Sequence, residues 1–301
     1  MNTNKTNIAL VTVGCLIGGY LAKKLYNKIT SKSSENEETP EDIEEELYEN
    51  LRELINGYES KYKTKLIIIT DFDIFFEERH HNLCQKRGEF PIIDIDDYEW
   101  FLDELLQVKT NRLDVMIQSS GGSITSSNAM VNALLNLPKN IILHTHIPTY
   151  ACSAGCLLAL CGHLIHTTEF TQFGPVDPQL SFRYKFDEEQ FSAKNIIDGL
   201  NSVSDLKDIS RIQLQKAKSY MKASEKIAKK VLLSRNRHED NIYKLNDGHI
   251  PHNEVFHKTE LNIKFDELDK NIKDIHLLMS ALRNNSYKFP KKDTYHEEDE
   301  E

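Results

Sequence analysis

Apolar and polar positions fall into short blocks along most of the chain, and each block predicts an element. After Pro40, Ile43, Leu47, Leu51 and Leu54 recur at helical spacing, with acids at the start where the helix dipole favours them. Lys65–Thr70 (KLIIIT) is a β-branched apolar run and reads as a buried strand. A charged loop carrying Glu77, Glu78, Arg79, His80 and His81 follows, and the spacing in residues 96–108 predicts a helix. Residues 114–118 (DVMIQ) read as a second strand, 119–123 (SSGGS) as a turn, and 124–137 as a helix stopped by Pro138. The order then repeats, with a strand over 140–146, a connection over 147–152, an apolar helix over 153–162 and a strand over 164–167. Strands alternating with helices predict an α/β fold with a mostly parallel sheet and right-handed crossovers. Beyond Phe191 the chain turns Lys-rich, and residues 193–233 read as one long helix, with another over 272–282.

Length and charge refine that picture. At 301 residues the chain holds one large or two small domains. A composition of 39% hydrophobic and 28% charged residues excludes collagen-like, disulfide-scaffold and wholly disordered classes. The net charge of -10 sits in two segments, since residues 31–46 carry eight acids and one Lys, and 293–301 six acids and no base. The remainder, with 33 acids against 36 bases, is nearly neutral, so the charge predicts no partner for the core; nucleic acid is not among the partners expected. Five Cys without zinc-type spacing point to free thiols in a reducing compartment.

The N-terminus points to a membrane. Residues 8–22 (IALVTVGCLIGGYLA) form an uncharged run of fifteen, followed by Lys23, Lys24 and Lys28, whereas only Lys5 precedes it. A span normally takes about 20 apolar residues, so this one is short. Charge after the run rather than before it predicts a retained single-pass anchor with the body on the cytoplasmic side. The organisation expected is an anchor over 1–30, an acidic disordered linker over 31–46, a folded domain over 47–292 and an acidic tail over 293–301.

Candidate chemistry lies at two strand-to-helix junctions. In Ser119-Ser120-Gly121-Gly122-Ser123 two glycines allow positive φ and leave backbone N–H groups unobstructed, as an anion or oxyanion cradle requires. In Tyr150-Ala151-Cys152-Ser153-Ala154-Gly155 a serine opens an apolar helix. There the dipole and the Ala154 N–H would favour negative charge on a nucleophile; the plainer role for Ser153 is to N-cap the helix.

Together with Gly174-Pro175-Val176-Asp177-Pro178-Gln179, these junctions resemble the serine dehydrogenase proteinase family of the Clp/crotonase-like superfamily, whose relatives include signal peptide peptidase A and the Clp proteolytic subunit. The resemblance spans about residues 92–180. Gln118 to Gly122 matches the family's HTPGG-like turn, Ala151 to Cys156 its A-x-S-A-G-T segment, and Gly174 to Gln179 its GPIDPQ, with one Ile-to-Val change. It implies repeated β-β-α units, Ser153 as nucleophile, and an oxyanion hole from the amides of Gly122 or Gly121 and of Ala154. It also implies a closed homo-oligomer acting on peptide or protein substrates. The sequence holds no metal or nucleotide motif, so no cofactor or metal is expected.

Serine needs a base within hydrogen-bond reach. In Clp-type subunits a His follows the serine by about two dozen residues; here that slot holds Asp177, a poor base that would serve as a supporting group. By analogy with signal peptide peptidase A, Lys207, Lys216, Lys218 and Lys222 are alternatives. His252, in GHIPHN, resembles the family's T-H-D segment. His144, His146, His163 and His166 flank the strands around Ser153 and read as structural. Two functions follow: a membrane-anchored serine peptidase working through an acyl-enzyme on Ser153, or an inactive oligomeric scaffold of the same fold that binds peptides or proteins.

Overall fold

The computed structural model describes residues 40–71, 93–184, 187–204, 207–246 and 254–288. The predicted anchor, the start of the acidic linker, the charged loop over 77–81, His252 and the acidic tail lie outside them. One compact unit is Asn56–Ile272; the second includes described residues 40–55 and 273–288. No helix among the described residues is long and apolar enough to cross a membrane.

Five parallel strands form the central sheet. They are β1 (Lys65–Thr70), β2 (Arg112–Gln118), β3 (Ile142–Ile147), β5 (Leu164–Thr167) and β10 (Asp266–Glu267), in the spatial order β1-β2-β3-β5-β10. Central β2 is buried from Leu113 to Gln118, as a strand covered on both faces must be. Its Leu113, Val115 and Ile117 join Ile67, Leu143, Ile147 and Ile165 in the main core.

The helices before and after β2 start on sequence-coded caps. For α2 (Ile95–Leu106), Asp94 and Asp97 form a capping box; for α3 (Ile124–Leu135), Ser123 accepts from the Ser126 amide. β4 (Tyr150–Ala151) leads into α4 (Ala154–Ala159) and pairs in parallel with β6 (Gln172–Phe173), which pairs antiparallel with β9 (Phe256–His257).

Three expectations change. A hairpin, β7 (Gln179–Tyr184) with β8 (Asp187–Ser192), follows the GPVDPQ segment where no strands were predicted. The long helix over 193–233 is two helices, α5 (Ala193–Asn201) and α6 (Asp208–Ser234). Ser202 ends the first by turning its hydroxyl back onto the Gly199 carbonyl at 2.7 Å. α1 (Pro40–Tyr62) starts inside the predicted linker, so residues 40–46 are helical rather than disordered. The remaining elements are α7 (Asn241–Asn246), a 3-10 turn at Lys258–Glu260 and α8 (Lys270–Lys288).

Candidate active site

The two junctions found in the sequence meet at the carboxyl ends of β2 and β4, where open α/β sheets bind their ligands. Ser119 bridges Ala151, and the Cys152 amide donates to the Ser119 carbonyl at 2.9 Å. On its other side the turn bridges Ile93: the Ile93 amide donates to Gly121 O at 2.9 Å and the Ser123 amide to Ile93 O at 2.7 Å. Both glycines are demanded by this packing. Gly121 has φ +120°, and a Cβ there would lie 2.6 Å from Ser153 Cβ and 3.1 Å from Ser153 Oγ; a Cβ on Gly122 would overlap the Ile93 backbone.

Ser153 sits at φ 49°, ψ −121°, a left-handed conformation costing a non-glycine residue about 1–3 kcal/mol. Its side chain does not cap α4. The sequence allowed a capping role that the structure does not show, and Ser153 is half-buried at the junction instead. The expected ten-residue helix is six residues long, so the single amide of Ala154 matters more here than a macrodipole.

The amides around Ser153 sort into bonded and uncommitted donors. Along the turn, Ser120 N–H donates to Asp71 at 2.6 Å and Gly121 N–H to Ser119 Oγ at 3.1 Å. Along the second arm, Ser153 N–H donates to Pro175 O at 3.1 Å and Gly155 N–H to Cys152 O at 2.8 Å. Gly122 N–H and Ala154 N–H have no acceptor among the described residues. Among the described residues, each arm thus offers one free backbone donor, one residue after Gly121 on the turn and one residue after Ser153 on the other arm.

The GPVDPQ segment earns its specificity as scaffold. Pro175 O holds the Ser153 amide, and Gly174 abuts Cys152, where a Cβ would meet Sγ at 2.7 Å. Val176 N–H donates to Leu245 O at 2.6 Å while Ser224 Oγ donates to Val176 O at 2.6 Å and bonds Asn246 Oδ1 at 3.2 Å. At the far end of α4, Arg235 donates to Cys161 O at 2.5 Å, and Arg237 to Leu160 O and, at 2.6 Å, to Gly162 O. Two guanidiniums thereby cap the short helix that carries Ser153; burial lowers the pKa of Arg237 to about 10.

The candidate bases fall in different places. Buried Asp177 accepts from Gln179 Nε2 at 2.8 Å. Lys207, Lys218 and Lys222 are exposed; Lys216 is exposed with its ammonium over the Tyr220 ring. Among the described residues none hydrogen-bonds Ser153 Oγ, and His252 lies outside them. The strand histidines are occupied elsewhere: His163 Nδ1 accepts from the Leu143 amide, His146 Nε2 is 2.6 Å from Asp114, and His144 and His166 bond each other at 3.0 Å.

Sequence reasoning missed Asp71. This half-buried carboxylate follows β1 and takes, on one oxygen, the Ser120 amide and the Tyr150 hydroxyl at 3.3 Å. Burial raises its pKa, and hydrogen bonds from Ser120, Ser119 and Tyr150 oppose the rise.

Residues 86–246 match the family model of the ClpP-like SDH-type serine proteinases, more than half of the chain. The chain belongs to that family. The match contains both arms around Ser153 and the GPVDPQ segment. A relative from Methanocaldococcus jannaschii, uncharacterized protein MJ0137, is 33% identical over 92 residues, which is 30% of this chain and 32% of that protein. The aligned region thus spans about a third of that relative's length.

Proposed function

We propose that this chain is a serine peptidase that cleaves peptide bonds through an acyl-enzyme on Ser153, anchored to a membrane by residues 8–22 with its folded body on the cytoplasmic side. The observation that carries the reading is Ser153 itself. A serine held at φ 49°, not capping its helix and packed against Gly121, is a strained conformation kept where the hydroxyl is presented rather than used structurally.

In this reading Ser153 Oγ attacks the scissile carbonyl carbon as its proton passes to the base. The carbonyl oxygen becomes an oxyanion held by Gly122 N–H and Ala154 N–H, while Gly121 provides the close approach. Collapse of the tetrahedral intermediate expels the amine, protonated by the base, and leaves the acyl ester on Oγ. Water then repeats the addition and releases the acid. Backbone donors of this kind contribute several kcal/mol to the transition state.

His252 is the proposed base. Asn246, six residues before it, is buried against Ser224, and Phe256, four residues after it, pairs with Phe173, which precedes Gly174. Both flanks are therefore tied to the segment that touches Ser153. Lys216, exposed over Tyr220, has no such support. A homo-oligomer is part of the proposal: Val203 and Ile212 are exposed, whereas Ile196 and Ile197 pack back on Leu180, Ala193 and Ala217.

A fluorophosphonate probe tests the central claim. Covalent labelling of the full chain that disappears in Ser153→Ala is the expected result. Absence of labelling across pH 5–9, or labelling retained in that variant, overturns it and favours the inactive scaffold. Release of the chain from membranes by alkaline carbonate would overturn the anchor.

A further inference from the structure

Two arms of backbone must be held at a fixed spacing for one oxyanion to reach both Gly122 N–H and Ala154 N–H. Hydrogen bonds between Ser119 and the Ala151–Cys152 stretch tie the arms at their base. A second tie comes from outside both arms. The amide of Asp71 donates to Gln118 O at 2.9 Å, extending the β1–β2 ladder past Thr70 and fixing the Asp71 backbone at the sheet edge. From there Oδ2 accepts from Ser120 N–H at 2.6 Å, on the turn one residue before Gly121, and from Tyr150 Oη at 3.3 Å, on the strand three residues before Ser153.

We propose that Asp71 is a positioning residue of this site: one carboxylate oxygen grips the glycine turn and the strand leading to Ser153, and so sets the spacing of the two oxyanion donors. The proposal rests on the reading of Ser153 as nucleophile with Gly122 and Ala154 as its oxyanion hole. With the Ser120 amide committed to Asp71 and the Gly121 amide to Ser119 Oγ, Gly122 N–H is the next donor along the turn that is left for a ligand.

Charge cannot be the useful property. Burial, and after it the Asp71 carboxylate, raise the pKa of the Cys152 thiol, next to Ser153, so a negative charge on Asp71 is felt beside the nucleophile and would oppose an oxyanion there. What Asp71 supplies is an acceptor oxygen in the right place. Asparagine can supply the same oxygen without the charge, and alanine cannot.

The full chain and its Asp71→Ala, Asp71→Asn and Tyr150→Phe variants would be compared in two measurements. The first is inactivation by a fluorophosphonate, resolved into kinact and KI. The second is hydrogen exchange of the Ser120 amide. Asp71→Ala should lower kinact about 10–100-fold with KI within about twofold, in line with a misplaced oxyanion donor. The same variant should exchange the Ser120 amide at least about tenfold faster. Asp71→Asn should keep both properties within about threefold of wild type, and Tyr150→Phe, which removes the longer bond to Asp71 and leaves the Ser120 tie, should lower kinact only a few-fold. A wild-type kinact in folded Asp71→Ala, or Asp71→Asn as slow as Asp71→Ala, overturns the proposal. Should the wild-type chain not label at all, the peptidase reading falls; the exchange data then decide the tether separately, faster exchange in Asp71→Ala supporting it and unchanged exchange overturning it.

Discussion

A methyl group on Gly121 would occupy space that belongs to Ser153, 2.6 Å from its Cβ and 3.1 Å from its Oγ. The φ of +120° at Gly121 adds backbone strain to that clash. Gly121→Ala should therefore lower the rate of fluorophosphonate labelling at Ser153 by at least about 100-fold, as expected if the proposed oxyanion donors are displaced. Gly57, inside α1, is the control, because a Cβ there would meet nothing within 4 Å. Gly57→Ala should leave labelling unchanged and raise stability by about 0.5–1 kcal/mol in urea unfolding.

Strain at Ser153 can be measured directly. Glycine adopts φ 49° without the penalty that serine and alanine share, so Ser153→Gly should be more stable than Ser153→Ala by about 1 kcal/mol or more, although glycine usually destabilises. Both variants should fail to label. Equal stabilities for the two would mean that the conformation is not strained.

Much of this site was legible in the sequence because its parts are local. KLIIIT announces a buried strand by composition, and SSGGS, ACSAG and GPVDPQ are contiguous words whose glycines the structure explains through Ser153, Ile93, Ser119 and Cys152. Asp71 was not legible, since an aspartate after a strand reads as an ordinary turn residue. Only strand pairing brings it to residues 120 and 150. The β7–β8 hairpin escaped for a related reason: Lys185-Phe186 between its strands lacks the Gly or Asn that marks a two-residue turn. The helix α5 ends at Ser202, a residue compatible with a helix interior, and its hydroxyl bond to Gly199 is visible only in three dimensions.

The arginine caps on α4 should matter for stability. Arg237 serves the carbonyls of buried Leu160 and Gly162, and each carbonyl left without a donor costs roughly 1–3 kcal/mol. Arg237→Met should lower the urea midpoint strongly. Arg237→Lys, with a single ammonium in place of a fork, should fall between that variant and wild type. A methionine variant as stable as wild type would show that the carbonyls find other donors.

Acid should weaken the fold in two separate windows, and the polar cluster on β2, β3 and β5 contributes to both. Burial, with the nearby Arg112 charge, lowers the His144 pKa from 6.5 to about 4; burial and the neighbouring His146 lower that of His166. Asp114, Asp266 and the Glu267 carbonyl act the other way but do not reverse the shifts. The unfolded chain therefore binds protons at these histidines from about pH 6.5 downward while the folded chain does not, so stability falls as pH drops from about 6.5 to 4 and is level above. Asp114 behaves separately. Despite its burial, hydrogen bonds from His146, Arg112 and Thr64 hold its pKa well below the ordinary 3.8, so its stabilising effect is present above that value and lost only as pH falls below it. Melting temperatures measured from pH 8 to 3 should show a plateau, a decline beginning near 6.5, and a steeper fall below about 4. Because His144 and His166 share a 3.0 Å hydrogen bond that cannot form once both rings are charged, His144→Gln should make the first decline shallower, the rest of it coming from His276 and His163, whose pKa values burial also lowers, and leave the second in place. A wild-type curve that is level from pH 6.5 to 4 would show that these rings titrate alike in the folded and unfolded chain.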